Sequence, residues 1–437
     1  MRRTLEKDLL AWKDAKRRKP LVLRGARQVG KTWLVEQFLA RHFDSFVKVD
    51  LEKRRDLHRA FEDNLEPKRI LNFLELACGR ILPGHTLLFL DEIQACPRAI
   101  MALRYLYEEM PQLHLVAAGS LLEFAFSEIS VPVGRLQYLS LYPMTFREFL
   151  WAMEKEPLAE ILAGDPAGVP VEAHALVLQQ LRSYWAVGGM PECVRVMRET
   201  GSLLEVTQVQ EELLDSFRDD FVKYSPRTSS ECLESVLQAV ARGVGDQLKY
   251  TRLDDQHTGP TIRKAFDLLA KAKLVNKIAA CNPSDLPLGA SANPRRFKAS
   301  LLDIGLMQRL CQMPYGVPIY EDDLLNIFKG RLAEQFVAQE LLASGPGELY
   351  YWSREAPSSN AEVDFLVVNN GVIRPVEVKS GAAGTLRSLH LMLETYPGCP
   401  EGLVLSSRPF AVLEQQRLRF LPIYYASELQ TSKFLSS

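Results

Sequence analysis

The chain has 437 residues, of which 47% are hydrophobic, and a formal net charge of −1. This length predicts two to four domains with packed cores, and the balanced charge excludes a chain-wide basic field for nucleic acid or anionic lipid. The seven cysteines include no C-x-x-C pair, so we expect reduced thiols and a cytoplasmic protein. The N-terminus has no apolar run typical of a signal peptide. The best hydrophobic stretch, residues 113–126, is interrupted by Glu123 and is too short to span a bilayer, so we expect no membrane partner.

Residues 21–34 contain the most informative pattern of the chain. Three apolar residues predict a buried strand, and the next residues have the phosphate-loop pattern G-x-x-x-x-G-K-[ST]. Apolar residues then recur at helical spacing, so the loop lies between a strand and a helix, as the motif requires. A plain glycine-rich turn is the alternative. The predicted ATP-binding residues of this loop are Gly25, Ala26, Arg27, Gln28, Val29, Gly30, Lys31, Thr32 and Trp33.

These residue types suit a bound triphosphate. Glycines allow the backbone to approach the ligand closely, and the N–H groups at the start of a helix favour anions. Lys31 would bind the β- and γ-phosphates, and the hydroxyl of Thr32 would bind Mg²⁺.

A second apolar run, residues 86–90, ends in Asp91 and Glu92. Such a run predicts a buried parallel strand, and ligands of open α/β sheets bind at the carboxyl ends of the strands. We predict that Asp91 binds Mg²⁺ together with Thr32 and that Glu92 orients or deprotonates the attacking water. A simple turn at the end of a strand is the alternative.

Two more residues are candidates for the same site. The apolar run at residues 114–118 predicts a strand between the two nucleotide-binding strands, and it is followed by Ser120. Ser120 is either a sensor of the γ-phosphate or the N-cap of the next helix. Arg135 is either an arginine finger that reaches the γ-phosphate of an adjacent subunit in a homo-oligomer, or part of a surface salt bridge.

These motifs resemble, in combination, those of one family. The motifs lie at residues 25–32, 91–94, 118–120, 134–135, 141–149, 188–192 and 302–306. The family consists of prokaryotic AAA-type ATPases that carry a C-terminal domain of unknown function related to restriction endonucleases. The resemblance covers nearly the whole chain, although it implies no established biological role.

The expected fold class is α/β, with a P-loop parallel sheet and a restriction-endonuclease-like α/β domain. The resemblance and the pattern of apolar residues divide the chain into four parts. They are an ATPase core over residues 1–144, a helical lid over 145–225, a winged-helix-like segment over 226–310 and a PD-(D/E)xK nuclease-like domain over 320–437.

Residues 362–379 predict a β-hairpin. Apolar residues alternate on both sides of Asn370-Gly371, which is a strong signal for a two-residue turn. This turn places Asp364 opposite Glu377 in a non-hydrogen-bonded pair, where side chains are close. Facing carboxylates repel each other unless a cation compensates them, and hard oxygen ligands suit Mg²⁺ or Mn²⁺.

Two further side chains complete a candidate nuclease site. Lys379 lies two residues beyond Glu377, and this spacing resembles the PD-(D/E)xK core, in which the lysine activates water or stabilises the phosphorane. A predicted helix places Glu334 in a mostly apolar face, where an unpaired carboxylate is costly. We therefore predict that Glu334, Asp364 and Glu377 bind a metal and that Lys379 is catalytic. Surface salt bridges are the alternative.

Three functions follow from these sites. The first is ATP hydrolysis coupled to a metal-dependent nuclease-like domain that acts on nucleic acid. The second is a nucleotide-driven switch or scaffold whose C-terminal domain binds a partner without cleavage. The third is an ATPase that binds DNA through Arg263 and Lys264 of the winged-helix-like segment.

Overall fold

The structure is a computed structural model that describes residues 1–128, 134–224, 228–314, 326–354, 360–379 and 386–430. It divides into two compact units, one formed by residues 2–142 and one that begins at Pro143 and also includes Met1. Within the described ranges, none of the helices is long and apolar enough to cross a membrane.

The first unit alternates strands and helices. Its elements are α1 (Glu6–Asp14), β1 (Leu21–Arg24), α2 (Lys31–Gln37), β2 (Ser45–Asp50), α3 (Pro67–Cys78), β3 (Thr86–Asp91), α4 (Pro97–Glu109), β4 (His114–Ala118), α5 (Leu122–Glu128) and β5 (Gln137–Ser140). The strands form one sheet in the order β2-β3-β4-β1-β5, and every strand pair is parallel.

This sheet explains the long apolar runs of the sequence. All residues of β3 and β4 are buried, as expected for parallel strands that are covered on both faces. Ile70 of α3 and Leu103 of α4 share a core with Leu88 of β3. Strand β4 lies between β1 and β3, and the predicted P-loop sheet is therefore confirmed.

The second unit begins with a helical region and continues into a mixed sheet. Its helices are α6 (Phe146–Ala152), α7 (Glu156–Ile161), α8 (Val171–Val187), α9 (Pro191–Thr200), α10 (Leu203–Tyr224), α11 (Ser230–Arg242), α12 (Gly259–Lys271), α13 (Ile304–Leu310), α14 (Asn326–Ser344) and α15 (Arg387–Thr395). Its strands are β6 (Val275–Ala280), β7 (Asn293–Leu301), β8 (Leu349–Ser353), β9 (Glu362–Asn369), β10 (Val372–Val378), β11 (Gly402–Ser406), β12 (Ala411–Leu413) and β13 (Leu418–Pro422).

The eight strands of this unit form one sheet in the order β12-β13-β11-β10-β9-β8-β6-β7. Helices α11 and α12 and the antiparallel pair β6–β7 follow the order expected for a winged helix. However, β6 also pairs in parallel with β8. The predicted winged-helix-like and nuclease-like segments therefore share one sheet. Strand β8 of the later segment covers the edge of β6 that β7 leaves unpaired.

The hairpin β9–β10 has the register that its turn predicts. Val376 pairs with Phe365, and Val372 pairs with Asn369. Asn370 has a φ of 51° and Gly371 a φ of 76°, as a type I′ turn requires. The same register brings Asp364 to the end of β10, where its Oδ2 accepts the backbone N–H of Val378 at 2.9 Å.

Asp303 joins two of the motifs that carry the family resemblance. Its carboxylate accepts backbone N–H groups from Gly189 at 2.6 Å, Gly305 at 2.9 Å and Leu306 at 3.1 Å. Burial raises the pKa of this carboxyl above its ordinary value. A Cβ on Gly188, whose φ is 77°, would collide with the same carboxylate. The motifs at residues 188–192 and 302–306 therefore pack against each other and stabilise the second unit.

Candidate functional sites

The phosphate loop connects β1 to α2 in the first unit. Gly25 has a φ of 146° and Gly30 a φ of 95°, which are conformations that favour glycine. A Cβ on Gly25 would also collide with the carbonyl oxygen of Leu141. The N-terminus of α2 lies directly after the loop, and since the first N–H groups of a helix have no intrahelical partner, this arrangement suits a bound phosphate.

Lys31 lies inside this loop. Its Nζ donates to the carbonyl oxygens of Ala26 at 2.7 Å and Gly25 at 3.1 Å, and the residue is only 7% exposed. Burial lowers the pKa of Lys31 to about 8, while Glu92 and Asp91 oppose this shift. In the described part of the chain, the hydrogen-bond partners of this ammonium are carbonyl dipoles and not carboxylates.

Thr32 and Asp91 meet, as the sequence predicts. The Thr32 hydroxyl donates to the Asp91 carboxylate, with oxygen–oxygen distances of 3.0 and 3.1 Å. Thr32 lies in the first turn of α2 and Asp91 ends β3, so their oxygens converge from separate elements at the carboxyl edge of the sheet. Hard oxygen ligands of this kind are those that Mg²⁺ prefers.

Sequence reasoning missed Lys48, which also contacts this site. Its Nζ lies 2.6 Å from Glu36 Oε1 and 3.1 Å from Asp91 Oδ2. Burial would lower the pKa of Lys48, but the hydrogen bonds to Glu36 and Asp91 raise it above its ordinary value. The available signal was a lysine between the apolar residues Val47 and Val49 of β2.

Glu92 has a backbone conformation that is uncommon for its residue type. Its φ is 48°, and left-handed non-glycine residues occur often at functional sites. The side-chain amide of Gln94 donates to Glu92 Oε2 at 2.5 Å. Gln94 also lies against Gly119, where an added Cβ would collide with its amide oxygen. Glu92 is thus held next to the end of β4, where Ser120 is buried.

Arg135 lies at the surface of the first unit. Its Nε is 2.8 Å from Glu108 Oε1, and its side chain is 48% exposed. Within one chain it therefore forms the surface salt bridge that was one of its two predicted roles. The contact leaves its role towards a second subunit a prediction.

Arg3 is a second residue that sequence reasoning missed. It is buried, and its guanidinium donates to the carbonyl oxygens of Val29 at 3.0 Å and Tyr142 at 2.6 Å. The first of these bonds fixes a residue of the phosphate loop. Long-range contacts of this kind leave no local pattern in a sequence.

The predicted nuclease-like residues meet in the second unit around a lysine that was not predicted. Lys298 of β7 is 2% exposed, and its Nζ lies 2.6 Å from Glu362 Oε1, 3.1 Å from Asp364 Oδ1 and 3.3 Å from Glu334 Oε2. Although burial opposes its charge, these carboxylates hold the pKa of Lys298 well above its ordinary value. The signal was a lysine within the otherwise apolar or small residues at 297–301.

Glu377 and Lys379 lie beside the contacts of Lys298 and complete one group of charged residues. We call this group the carboxylate cluster, and its members are Lys298, Glu334, Glu362, Asp364, Glu377 and Lys379. Lys379 Nζ lies 2.7 Å from Glu377 Oε1, while the buried Oε2 of Glu377 has no hydrogen-bond partner among the described residues. Burial and the nearby Asp364 raise the pKa of Glu334 to about 7 and that of Glu377 to about 8. Four carboxylates share two lysines here.

Three family models match separate parts of the chain. An AAA domain matches residues 17–150, and two domains of unknown function, DUF8612 and DUF4143, match residues 178–315 and 329–425. A comparison with curated proteins found no match.

Several solved structures are similar to the chain at low identity. A Walker-type ATPase of Pyrococcus abyssi has a TM-score of 0.44 and 16% identity, over 71% of this chain and 95% of its own. The RuvB Holliday junction branch migration motor of Thermotoga maritima has a TM-score of 0.26 and 17% identity, over 64% and 89%. The Drosophila ORC bound to DNA has a TM-score of 0.28 and 11% identity, over 71% and 95%.

The family model and the geometry agree on one domain. The parallel sheet, the loop between β1 and α2 and the Thr32–Asp91 pair are the features that the phosphate-loop motif requires. Residues 17–150, which match the AAA family model, therefore form an AAA-type P-loop ATPase domain.

Proposed function

We propose that this chain hydrolyses ATP and couples hydrolysis to a metal-dependent nuclease-like domain that acts on nucleic acid. The observation that supports the ATPase half is the meeting of Lys31, Thr32 and Asp91 at one edge of the sheet. The nuclease-like half is supported by the carboxylate cluster.

Each residue of the ATP site has a role that follows from its position. Lys31 and the N–H groups of the phosphate loop bind the phosphates, and Thr32 and Asp91 hold Mg²⁺. When bound, Mg²⁺ neutralises charge on the phosphate oxygens. Glu92, held by Gln94 at 2.5 Å, accepts a proton from water or orients it.

Arg135 and a second subunit belong to the same proposal. The arginine is exposed, so it can exchange its partner Glu108 for the γ-phosphate of an adjacent copy of the chain. Mixing Lys31→Ala subunits with Arg135→Ala subunits tests this role, since a mixed assembly contains interfaces with both residues intact. Recovery of ATP turnover on mixing supports it, and turnover that stays at the level of the separate variants contradicts it.

The C-terminal elements support a nuclease-like domain by their order. Helix α14, the antiparallel strands β8, β9 and β10, helix α15 and the parallel strand β11 follow one another along the chain. This arrangement places Asp364 and Glu377 on adjacent strands and Glu334 on the helix before them. The cluster carries two more carboxyl groups than lysines, and hard oxygen ligands of this kind suit a divalent cation.

Lys298 favours the alternative of a scaffold that binds a partner without cleavage. Its ammonium already contacts Glu334, Glu362 and Asp364. A buried cation at this point does electrostatically what a metal ion would do, and it makes a metal unnecessary for the stability of the cluster.

The direct experiment compares cleavage of DNA and RNA with and without ATP and Mn²⁺. The nuclease proposal expects cleavage by the wild type, loss of cleavage in Asp364→Ala, and loss of its ATP dependence in Glu92→Gln. Binding of nucleic acid without any cleavage, unchanged in Asp364→Ala, would support the scaffold instead. If a variant that lacks the charges of Arg263 and Lys264 binds nucleic acid more weakly, the nucleic acid contacts α12.

A further inference from the structure

A cysteine, an aspartate and a histidine meet near the surface of the second unit, outside both sites described above. Cys232 lies in the first turn of α11, and Asp254 and His257 lie in the connection that precedes α12. The sulfur of Cys232, a carboxylate oxygen of Asp254 and a ring nitrogen of His257 all lie within 4.8 Å of one another. We propose that these three side chains form a binding site for a divalent metal ion of the zinc class.

The donor set determines the kind of ion. Thiolate sulfur and imidazole nitrogen are ligands of borderline-soft metals, and Zn²⁺ accepts sulfur, nitrogen and carboxylate oxygen in tetrahedral sites. Mg²⁺ and Ca²⁺ prefer sites built from oxygen. This site therefore differs in chemistry from the carboxylate cluster, whose ligands are oxygens only.

Burial and charge also favour an ion at this place. The side chain of Asp254 is 3% exposed and lies 2.8 Å from His257 Nδ1. In the described part of the chain, no lysine or arginine forms a salt bridge with Asp254. Cys232 is fully buried. One oxygen of this carboxylate accepts the backbone N–H of Gln256 at 2.8 Å, and the other is hydrogen-bonded to His257. A metal ion bound to all three side chains would add the full positive charge that these partners do not supply.

The position of the site suggests its role. A metal bound to Cys232, Asp254 and His257 cross-links the start of α11 to the residues just before α12. Three protein ligands leave a fourth tetrahedral position, and the side chain of His257 is 25% exposed, so water can occupy that position from outside. We infer that the ion orders the connection between the two helices.

Cobalt absorption tests the proposal on the full chain, without a histidine tag and with its thiols reduced. Metal-free protein titrated with Co²⁺ should show a thiolate-to-cobalt charge-transfer band that saturates at one ion per chain and disappears when Zn²⁺ is added. The band depends on a thiolate ligand, so ions bound to the carboxylate cluster do not contribute to it.

Matched variants assign the band to this site. Cys232→Ser should abolish the band, and His257→Gln should weaken Co²⁺ affinity at least tenfold, whereas Cys399→Ser and His85→Gln should leave both unchanged. His257 is partly exposed, so His257→Gln remains informative if Cys232→Ser does not fold. Absence of the band from wild-type protein, or a band of unchanged intensity and affinity in both site variants, would overturn the proposal.

Discussion

The ATP site and the carboxylate cluster each contain a buried lysine, and the two lysines have opposite environments. Lys31 in the ATPase domain is bonded to the carbonyl oxygens of Gly25 and Ala26, and its pKa is lowered to about 8 by burial. Lys298 in the carboxylate cluster contacts three carboxylates, and they hold its pKa well above the ordinary value. The difference shows that burial lowers the pKa of an ammonium unless nearby carboxylates outweigh the effect of burial.

The comparison also separates two kinds of site. Lys31 is hydrogen-bonded to carbonyl oxygens and to no carboxylate in the described part of the chain, so an anionic phosphate would stabilise its ammonium further. The charge of Lys298 is already balanced by the carboxylates that it contacts. This ammonium therefore needs no further anion. We therefore expect removal of Lys31 to affect ATP turnover, and removal of Lys298 to affect the stability of the second unit.

The largest expected effect concerns Lys31. Replacement of this lysine by alanine should lower ATP turnover about 1000-fold, because the site loses its cation for the phosphates. Phosphate release measured at saturating ATP checks the prediction. Lys53→Ala is the matched control, since Lys53 is exposed and outside the site. Turnover in Lys31→Ala within a few fold of wild type would show that the loop does not bind ATP for hydrolysis.

Glu92→Gln should have the next largest effect. The amide cannot accept a proton from water, so we expect turnover to fall about 100-fold while nucleotide affinity stays close to that of the wild type. Binding of a fluorescent ATP analogue and phosphate release, measured on the same preparation, separate the two quantities. A parallel loss of affinity would instead indicate that the left-handed conformation of Glu92, with its φ of 48°, supports the fold of the loop.

Lys298→Met should destabilise the second unit. The variant leaves Glu334, Glu362 and Asp364 without the cation that contacts them, and breaking a buried ion pair costs about 3–5 kcal/mol. Urea unfolding checks this value, with Lys271→Met on the exposed face of α12 as the control. Millimolar Mg²⁺ or Mn²⁺ should restore part of the loss if the cluster binds metal. An unchanged free energy of unfolding would show that the contacts of Lys298 contribute little.

The smallest expected effect is a pH dependence in the ATPase domain. Burial and then the nearby Arg18 lower the pKa of His114 from 6.5 to about 4. The unfolded chain therefore binds this proton at a higher pH than the folded chain does. Stability from neutral His114 is complete above pH 6.5 and falls as the pH approaches 4, by about 1–3 kcal/mol.

Urea unfolding of wild type and His114→Phe at pH 7 and pH 5 measures this contribution. The phenylalanine keeps an aromatic ring next to Trp12 and Phe43, which pack against His114. We expect the decrease between the two pH values to be smaller in the variant. An equal decrease in both proteins would place the acid sensitivity on other groups.

Much of the ATP site could be predicted because its residues lie in short motifs. The spacing of Gly25, Gly30, Lys31 and Thr32 specifies a loop between a strand and a helix. Asp91 ends a strand that is itself a recognisable apolar run. Arg3 was missed because nothing in its neighbouring residues signals a contact with the site, and the position of Lys48 between two apolar residues does not show which groups it contacts. Their partners become visible only when β2 lies beside β3 and when the chain before α1 approaches Val29.

The amino-acid sequence by itself determined the phosphate loop, the buried parallel strands and the register of the β9–β10 hairpin. The reason is local: turn residues set backbone angles, and alternating or continuous apolar runs set which faces are buried. Only the tertiary structure decided that Lys298 joins Glu334 and Asp364, which lie 36 and 66 residues further along the chain. Buried charges require a partner of opposite sign. Which residue becomes that partner depends on which elements pack together, and this cannot be read from the spacing of residues along the chain.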